Sequence, residues 1–222
     1  MYSYIEIFQI IEEKKSIDIN QKLNFDIDQM DESKMTLLSY AVHNNNPSVA
    51  QFLLLNGASI DIADNLGNTP LLEASLFGYF ELVTLLIRHQ ANINHSNHVG
   101  ETALSAAATN GYMNIIEILV DNGADINKAD NFNTTPLMWA LAHSRREIAL
   151  FLIEKGALID CRDEKGMHTL NYVSNLCDSY LIQLITQATQ YDENMYKSFM
   201  QKIDDAYHTL QGILRKWGQA EK

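Results

Sequence analysis

"DNLGNTPLLEASLFGYFELVTLLIRHQANINHS", residues Asp64–Ser96, aligns without a gap with the 33 residues that follow it, "NHVGETALSAAATNGYMNIIEILVDNGADINKA", Asn97–Ala129. Gly67 falls on Gly100, Thr69 on Thr102, Leu71 on Leu104, Ala74 on Ala107 and Gly78 on Gly111. Further along, Leu82 falls on Ile115, Leu86 on Leu119 and Ile93 on Ile126. A fixed period of this size means a stacked array, because one such unit cannot bury its apolar face alone. The frame extends both ways. Residues 31–63 and 130–162 are further copies, and 163–188 is a fifth that keeps the opening Asp163 and the apolar spacing but loses much else.

The same local logic recurs in each copy. Thr36, Thr69, Thr102 and Thr135 stand where a hydroxyl can cap a first helix, and Pro70 and Pro136 follow at the first helical position, where a missing N–H costs nothing. Small residues such as Ala74, Ser75, Ala107 and Ala108 let neighbouring first helices approach closely. Gly78 and Gly111 break the chain, and a second helix then carries Leu82, Val83, Leu85 and Leu86, or Ile115, Ile116, Ile118 and Leu119, at helical spacing. Gly57, Gly123 and Gly156 end that helix, with Gln90 in the slot in the second copy. "ASID", "ANIN", "ADIN" and "ALID" lead out in extended form.

These residues resemble the ankyrin repeat, whose signature includes T-P-L-H-x-A and whose unit is a turn plus two antiparallel helices. The resemblance implies an all-α solenoid and covers residues 31–188, with a degenerate capping repeat at 1–30. No copy keeps the signature His; the slot holds Ser39, Leu72, Ser105, Met138 and Asn171, so the links between repeats that this His would make have to come from elsewhere. The mid-repeat glycine becomes Asn45, Ser144 and Cys177, and the hairpin glycine becomes Lys34 and Asn133. Copies one, four and five are therefore expected to be less regular than two and three.

An array exposes an apolar face at each end and needs caps with a polar outer side. Residues 3–14 read as an amphipathic helix with Ile7, Ile10 and Ile11 on one face, Ile17, Ile19 and Leu23 as a short second helix, and "FDIDQMD" (25–31) rejoins the frame at "ASIDIAD" (58–64). Residues 189–222 have no repeat features. From Asp192 onwards, Tyr196, Met200, Ile203, Tyr207, Leu210, Leu214 and Trp217 alternate spacings of four and three, the pattern of one long amphipathic helix. It either covers copy five or drives self-association.

The net charge is −12, and residues 31–162 hold seven of those excess negative charges. Such a surface repels nucleic acid and acidic lipid and steers basic proteins. No apolar run is long enough to span a bilayer, and the N-terminus lacks the pattern of a secretory signal. With Cys161 and Cys177 as the two cysteines and no CxxC, the expected setting is cytoplasmic, or delivery by a route without a signal peptide. His95 and His98 lie three apart at a hairpin, but no Cys, Asp or Glu completes a metal site. There is no GxSxG, phosphate-cradling glycine loop or HExxH either. The expectation is no cofactor, no metal and no catalysis.

The resemblance implies binding of another protein through a concave surface of hairpin tips and first helices, at positions that vary between repeats. Carried onto this chain, the candidates are Leu66, Asn68, Leu76, Phe77, Val99, Glu101, Asn110, Phe132, Trp139, His143 and Met167. Apolar residues at solvent-facing positions are the material of interface anchors, unless they pack against neighbouring hairpins. Trp139 shares its slot with Tyr40, Glu73, Ala106 and Tyr172, and Glu73 is odd there for a core residue. A basic partner fits the charge. Narrower alternatives are an inhibitor or immunity protein occluding a basic enzyme or toxin, a host-directed bacterial effector, and an oligomeric scaffold.

Overall fold

The computed structural model describes residues 2–13, 25–173 and 179–189. The second N-terminal helix, the fifth copy's Cys177 and the C-terminal helix from Asp192 lie outside them. Eleven helices run in order among the described residues: α1 (Tyr4–Glu12), α2 (Leu37–His43), α3 (Pro47–Leu55), α4 (Pro70–Phe77), α5 (Phe80–Arg88), α6 (Ala103–Asn110), α7 (Met113–Asp121), α8 (Pro136–Ala142), α9 (Arg146–Glu154), α10 (Thr169–Val173) and α11 (Ser179–Thr189). Apart from two isolated antiparallel bridges, no extended pairing occurs among these residues.

Each first helix starts on its threonine. The hydroxyls of Thr36, Thr69, Thr102 and Thr135 accept from the backbone N–H groups of Ser39, Leu72, Ser105 and Met138 at 3.2–3.4 Å. The first helices α2, α4, α6, α8 and α10 form one row and the second helices α3, α5, α7 and α9 another. Contacts are denser along the first row, where Ala103, Ala106, Ala107 and Ala108 put no bulk between neighbours. A row that packs closer on one side bends the stack towards that side, so the first helices and hairpins line the concave flank. The core is one cluster running the length of the array: Phe52 and Leu53 in α3, Leu82 and Leu86 in α5, Ile115 and Leu119 in α7, Ile148 and Leu152 in α9, Leu181 and Ile185 in α11. Each such side chain, fully buried, contributes roughly 1.5–3 kcal/mol. At the N-terminal end α1 starts on a capping box between Ser3 and Glu6 and buries Ile7 and Ile11 completely.

The hairpins do not lose their shape in the divergent copies. In all five the residue that opens the frame turns its N–H onto the carbonyl four positions on: Asp31 to Met35, Asp64 to Asn68, Asn97 to Glu101, Asp130 to Thr134, Asp163 to Met167. Its Oδ1 accepts two backbone N–H groups, as Asp130 does from Phe132 and Thr134, both at 2.9 Å. Adjacent hairpins are then tied backbone to backbone: Asn65 to Ser33, His98 to Leu66, Asn131 to Val99 and Glu164 to Phe132, at 2.9–3.1 Å. A second ladder runs through the exit segments. The Oδ1 atoms of Asp28, Asp61, Asn94 and Asn127 accept from the N–H groups of Ser59, Asn92, Asp125 and Leu158 in the next copy. These two ladders join the copies in the absence of the signature His.

The expected irregularity of copies one and four takes a milder form. Lys34, Asn45, Gln90, Asn133 and Ser144 all keep positive φ, between 50° and 67°, whereas the glycines of the array sit at 76–94°. The frame imposes the left-handed conformation, and a side chain is admitted by moving towards the left-handed well near +57°. That conformation costs an ordinary residue roughly 1–2 kcal/mol. Ser144→Gly is therefore expected to stabilise the fold by about 0.5–1 kcal/mol after the extra chain entropy of glycine is deducted. The check is a higher urea midpoint with an unchanged slope.

Candidate protein interface

Three candidates form a row at the hairpin tips, one each in copies two, three and four: Leu66, Val99 and Phe132 are 66%, 52% and 49% exposed, while Met167, 43% exposed, stands two positions out of that register in copy five, where Lys165 takes the tip. The carbonyls of Leu66, Val99 and Phe132 accept the bonds of the inter-hairpin ladder, so this row is held at fixed spacing. Phe77, 44% exposed at the end of α4, stacks on Tyr79 with ring centroids 5.7 Å apart and meets the edge of His43 at 6.1 Å. Leu76 beside it is half-buried. His143 is exposed and lies against Trp139 at 5.6 Å.

Other candidates are engaged within the array. Asn68 is half-buried, its Nδ2 donating to Asp64 at 3.2 Å while its Oδ1 accepts from Asn97 of the next copy at 2.9 Å. Asn110 turns back on its own helix and donates to the Ala106 carbonyl at 2.9 Å. Trp139 is half-buried, and its indole N–H donates to Asp130 Oδ2 at 3.0 Å. His95 donates through Nε2 to the Gly67 carbonyl at 2.9 Å, tying the exit of copy two to its own hairpin. Among the described residues no group of three or more His, Cys, Asp or Glu side chains is placed to hold a metal ion. Burial, then the charge of Asp160, pushes the Cys161 thiol up and keeps it protonated.

Residue spacing hides a pattern that the fold makes plain. Tyr40, Trp139 and Tyr172 each lie nine positions after the Asp that opens their own hairpin and each donates to its Oδ2, at 2.5, 3.0 and 2.6 Å. The bond from Tyr40 holds the Asp31 carboxyl below the usual range, as that from Tyr172 does for Asp163. Bonding to Asp31 pushes the Tyr40 phenol up to about 12, and burial followed by the bond to Asp163 does the same for Tyr172, so both remain donors. Where the slot carries Ala106 and offers no donor, the hairpin opens with Asn97 instead, and its Nδ2 donates to Asn68 and Glu101.

Glu73, the odd residue of that slot, reaches across to copy one, where its Oε1 meets His43 Nδ1 at 2.7 Å. Burial raises its pKa, more than the His43 bond lowers it, and burial also raises Glu101. An acid with a raised folded pKa binds its proton more tightly folded than unfolded. Its ionisation as pH climbs past 4.5 therefore costs stability, the reverse of Asp31 and Asp163. The Glu73 and Glu101 carboxyls are both half-buried in the array.

Two grooves stand out among the described residues. One, of about 330 Å³, opens on the second-helix row between Pro47, Gln51, Phe80, Thr84 and Arg88. The other, of about 300 Å³, lies on the hairpin flank between copies four and five, lined by Phe132, Trp139, Tyr172, Asp163, Glu164 and Lys165. The second holds two of the candidates and adds Tyr172, which the fold places there through its bond to Asp163.

The family model described as ankyrin repeats (3 copies) matches residues 7–97 and 91–163, and the chain belongs to this family. Arrays of this class are in general protein–protein interaction modules, whose stacked units build an extended concave surface. No curated protein matches the chain. Among the described residues no helix is long and apolar enough to cross a membrane.

Proposed function

We propose that this chain binds another protein along its hairpin tips and first helices, and that the partner presents a basic surface. The observation that carries the reading is the row Leu66, Val99 and Phe132: large apolar side chains exposed at intervals of one copy on a backbone that is hydrogen-bonded from copy to copy. Such rigid anchors lose little entropy on binding. The half-buried acids Glu73 and Glu101, with the acidic excess of residues 31–162, favour cationic groups opposite them.

The test is capture of the partner from the native cell lysate by the immobilised chain, followed by measured affinity for the identified protein. Phe77→Ala with Val99→Ala is expected to weaken capture by at least about tenfold, the effect of losing one or two anchors. The urea midpoint should fall only modestly, because both side chains are about half exposed and Phe77 gives up only its contacts with Tyr79 and His43. Raising the salt concentration is expected to slow association. Unchanged capture by the double variant rules out this face, and salt-insensitive capture rules out the basic partner.

A further inference from the structure

The groove between copies four and five has a composition the rest of the hairpin row lacks. Three aromatic residues, Phe132, Trp139 and Tyr172, line it together with Asp163 and Glu164. Two of the rings are fixed from behind, Trp139 by its bond to Asp130 and Tyr172 by its bond to Asp163. Aromatic faces attract cations through the ring quadrupole, and arginine, planar and weakly hydrated, suits them better than lysine. At about 300 Å³ the groove stands at the lower limit of small-molecule pockets, room for a side chain more than for a cofactor. Lys165 is the one cation in the lining, and its charge is outnumbered by the two carboxylates.

We propose that this groove takes a single arginine side chain of the bound protein, its guanidinium against Trp139 and Tyr172 and its charge balanced by Asp163 and Glu164. The inference rests on the protein-binding reading and narrows it to one pocket and one residue type. Asp163 is equipped for the role: its Oδ1 is held by the N–H groups of Lys165 and Met167 and its Oδ2 by Tyr172, which keep it ionised and oriented. Lys165 opposes the occupant, and removing its charge should tighten binding.

The experiment titrates the full chain with the capped tripeptide Gly-Arg-Gly and with Gly-citrulline-Gly, its neutral counterpart. The readout is the Trp139 indole N–H resonance, assigned by comparison with a Trp217→Phe chain. The arginine peptide is expected to shift that resonance saturably at millimolar concentration, about tenfold more tightly than the citrulline peptide. Lys165→Gln should strengthen the arginine peptide roughly two- to fivefold, and Tyr172→Leu should weaken it by a similar factor. Equal affinity for the two peptides, no saturable shift, or weaker binding after Lys165→Gln overturns the proposal. That failure is separable from failure of the broader reading, since partner capture through Phe77 and Val99 involves residues outside this groove.

Discussion

Gly100→Ala is expected to destabilise the array by about 2–4 kcal/mol, while Gly123→Ala, one repeat element away, costs about 1 kcal/mol. Both glycines have positive φ, 85° and 90°, so both substitutions place a Cβ where the left-handed backbone resists it. The difference lies in what the Cβ meets. At Gly123 nothing stands within 4 Å, whereas at Gly100 it would lie 2.5 Å from the backbone nitrogen of Asn131 and 2.8 Å from the Cα of Asp130. Those are main-chain atoms of the next hairpin, and Asn131 donates the bond to Val99 that ties the two hairpins together. Relief requires copy three to rotate towards the φ of 58–61° that Lys34 and Asn133 adopt in the same slot, opening the stack at its centre. Gly100→Asn should consequently cost less than Gly100→Ala, because Asn tolerates that well and already occupies it in copy four. Urea midpoints of the three variants, read with their slopes, decide the order. Equal costs at Gly100 and Gly123 would mean that the hairpins are not in contact as described.

Much of this architecture is legible in the chain because repetition lets one copy vouch for another. The Thr caps, the helix pairs and the buried Leu82, Leu86, Ile115 and Leu119 follow from spacing alone. The regularity of the divergent copies does not. Lys34, Gln90 and Ser144 look like breaks in the frame, yet each takes the backbone that glycine takes elsewhere. Ladders on both sides hold the conformation, and the local preference of one residue is too weak to oppose them. The face was legible at its tips, where Leu66, Val99 and Phe132 stand in solvent. It was less so where polar candidates have internal partners. Asn68 and Asn110 are candidates by their position in the repeat, and hydrogen bonds within the array use them both. The groove was invisible because Phe132 and Tyr172 are 40 positions apart and meet through the stacking of two hairpins.

Asp130→Ala is expected to cost about 2–4 kcal/mol and to loosen Trp139, even though the removed side chain is no more than half-buried. Asp130 accepts three hydrogen bonds: from the N–H groups of Phe132 and Thr134 on Oδ1 and from the indole of Trp139 on Oδ2. Bonds to a charged acceptor contribute roughly 1.5–3 kcal/mol each when sheltered, and partial exposure lets water recover a share of that. Asp130→Asn separates the two functions. Its carbonyl oxygen can still receive both backbone groups, as Asn97 does from Val99 and Glu101, but its amide confronts the indole donor to donor. The Asn variant should thus lose about 1–2 kcal/mol, and the loss should shrink when Trp139→Ala is added, since the donor that clashed is gone. Copy three shows that outcome already built, with Asn97 opening its hairpin and Ala106 in the slot nine residues on. A coupling near zero in that cycle would mean that Asp130 and Trp139 act independently. The nine-residue pairing would then be a coincidence of spacing, and the wall of the groove would lack the support that keeps its rings in place.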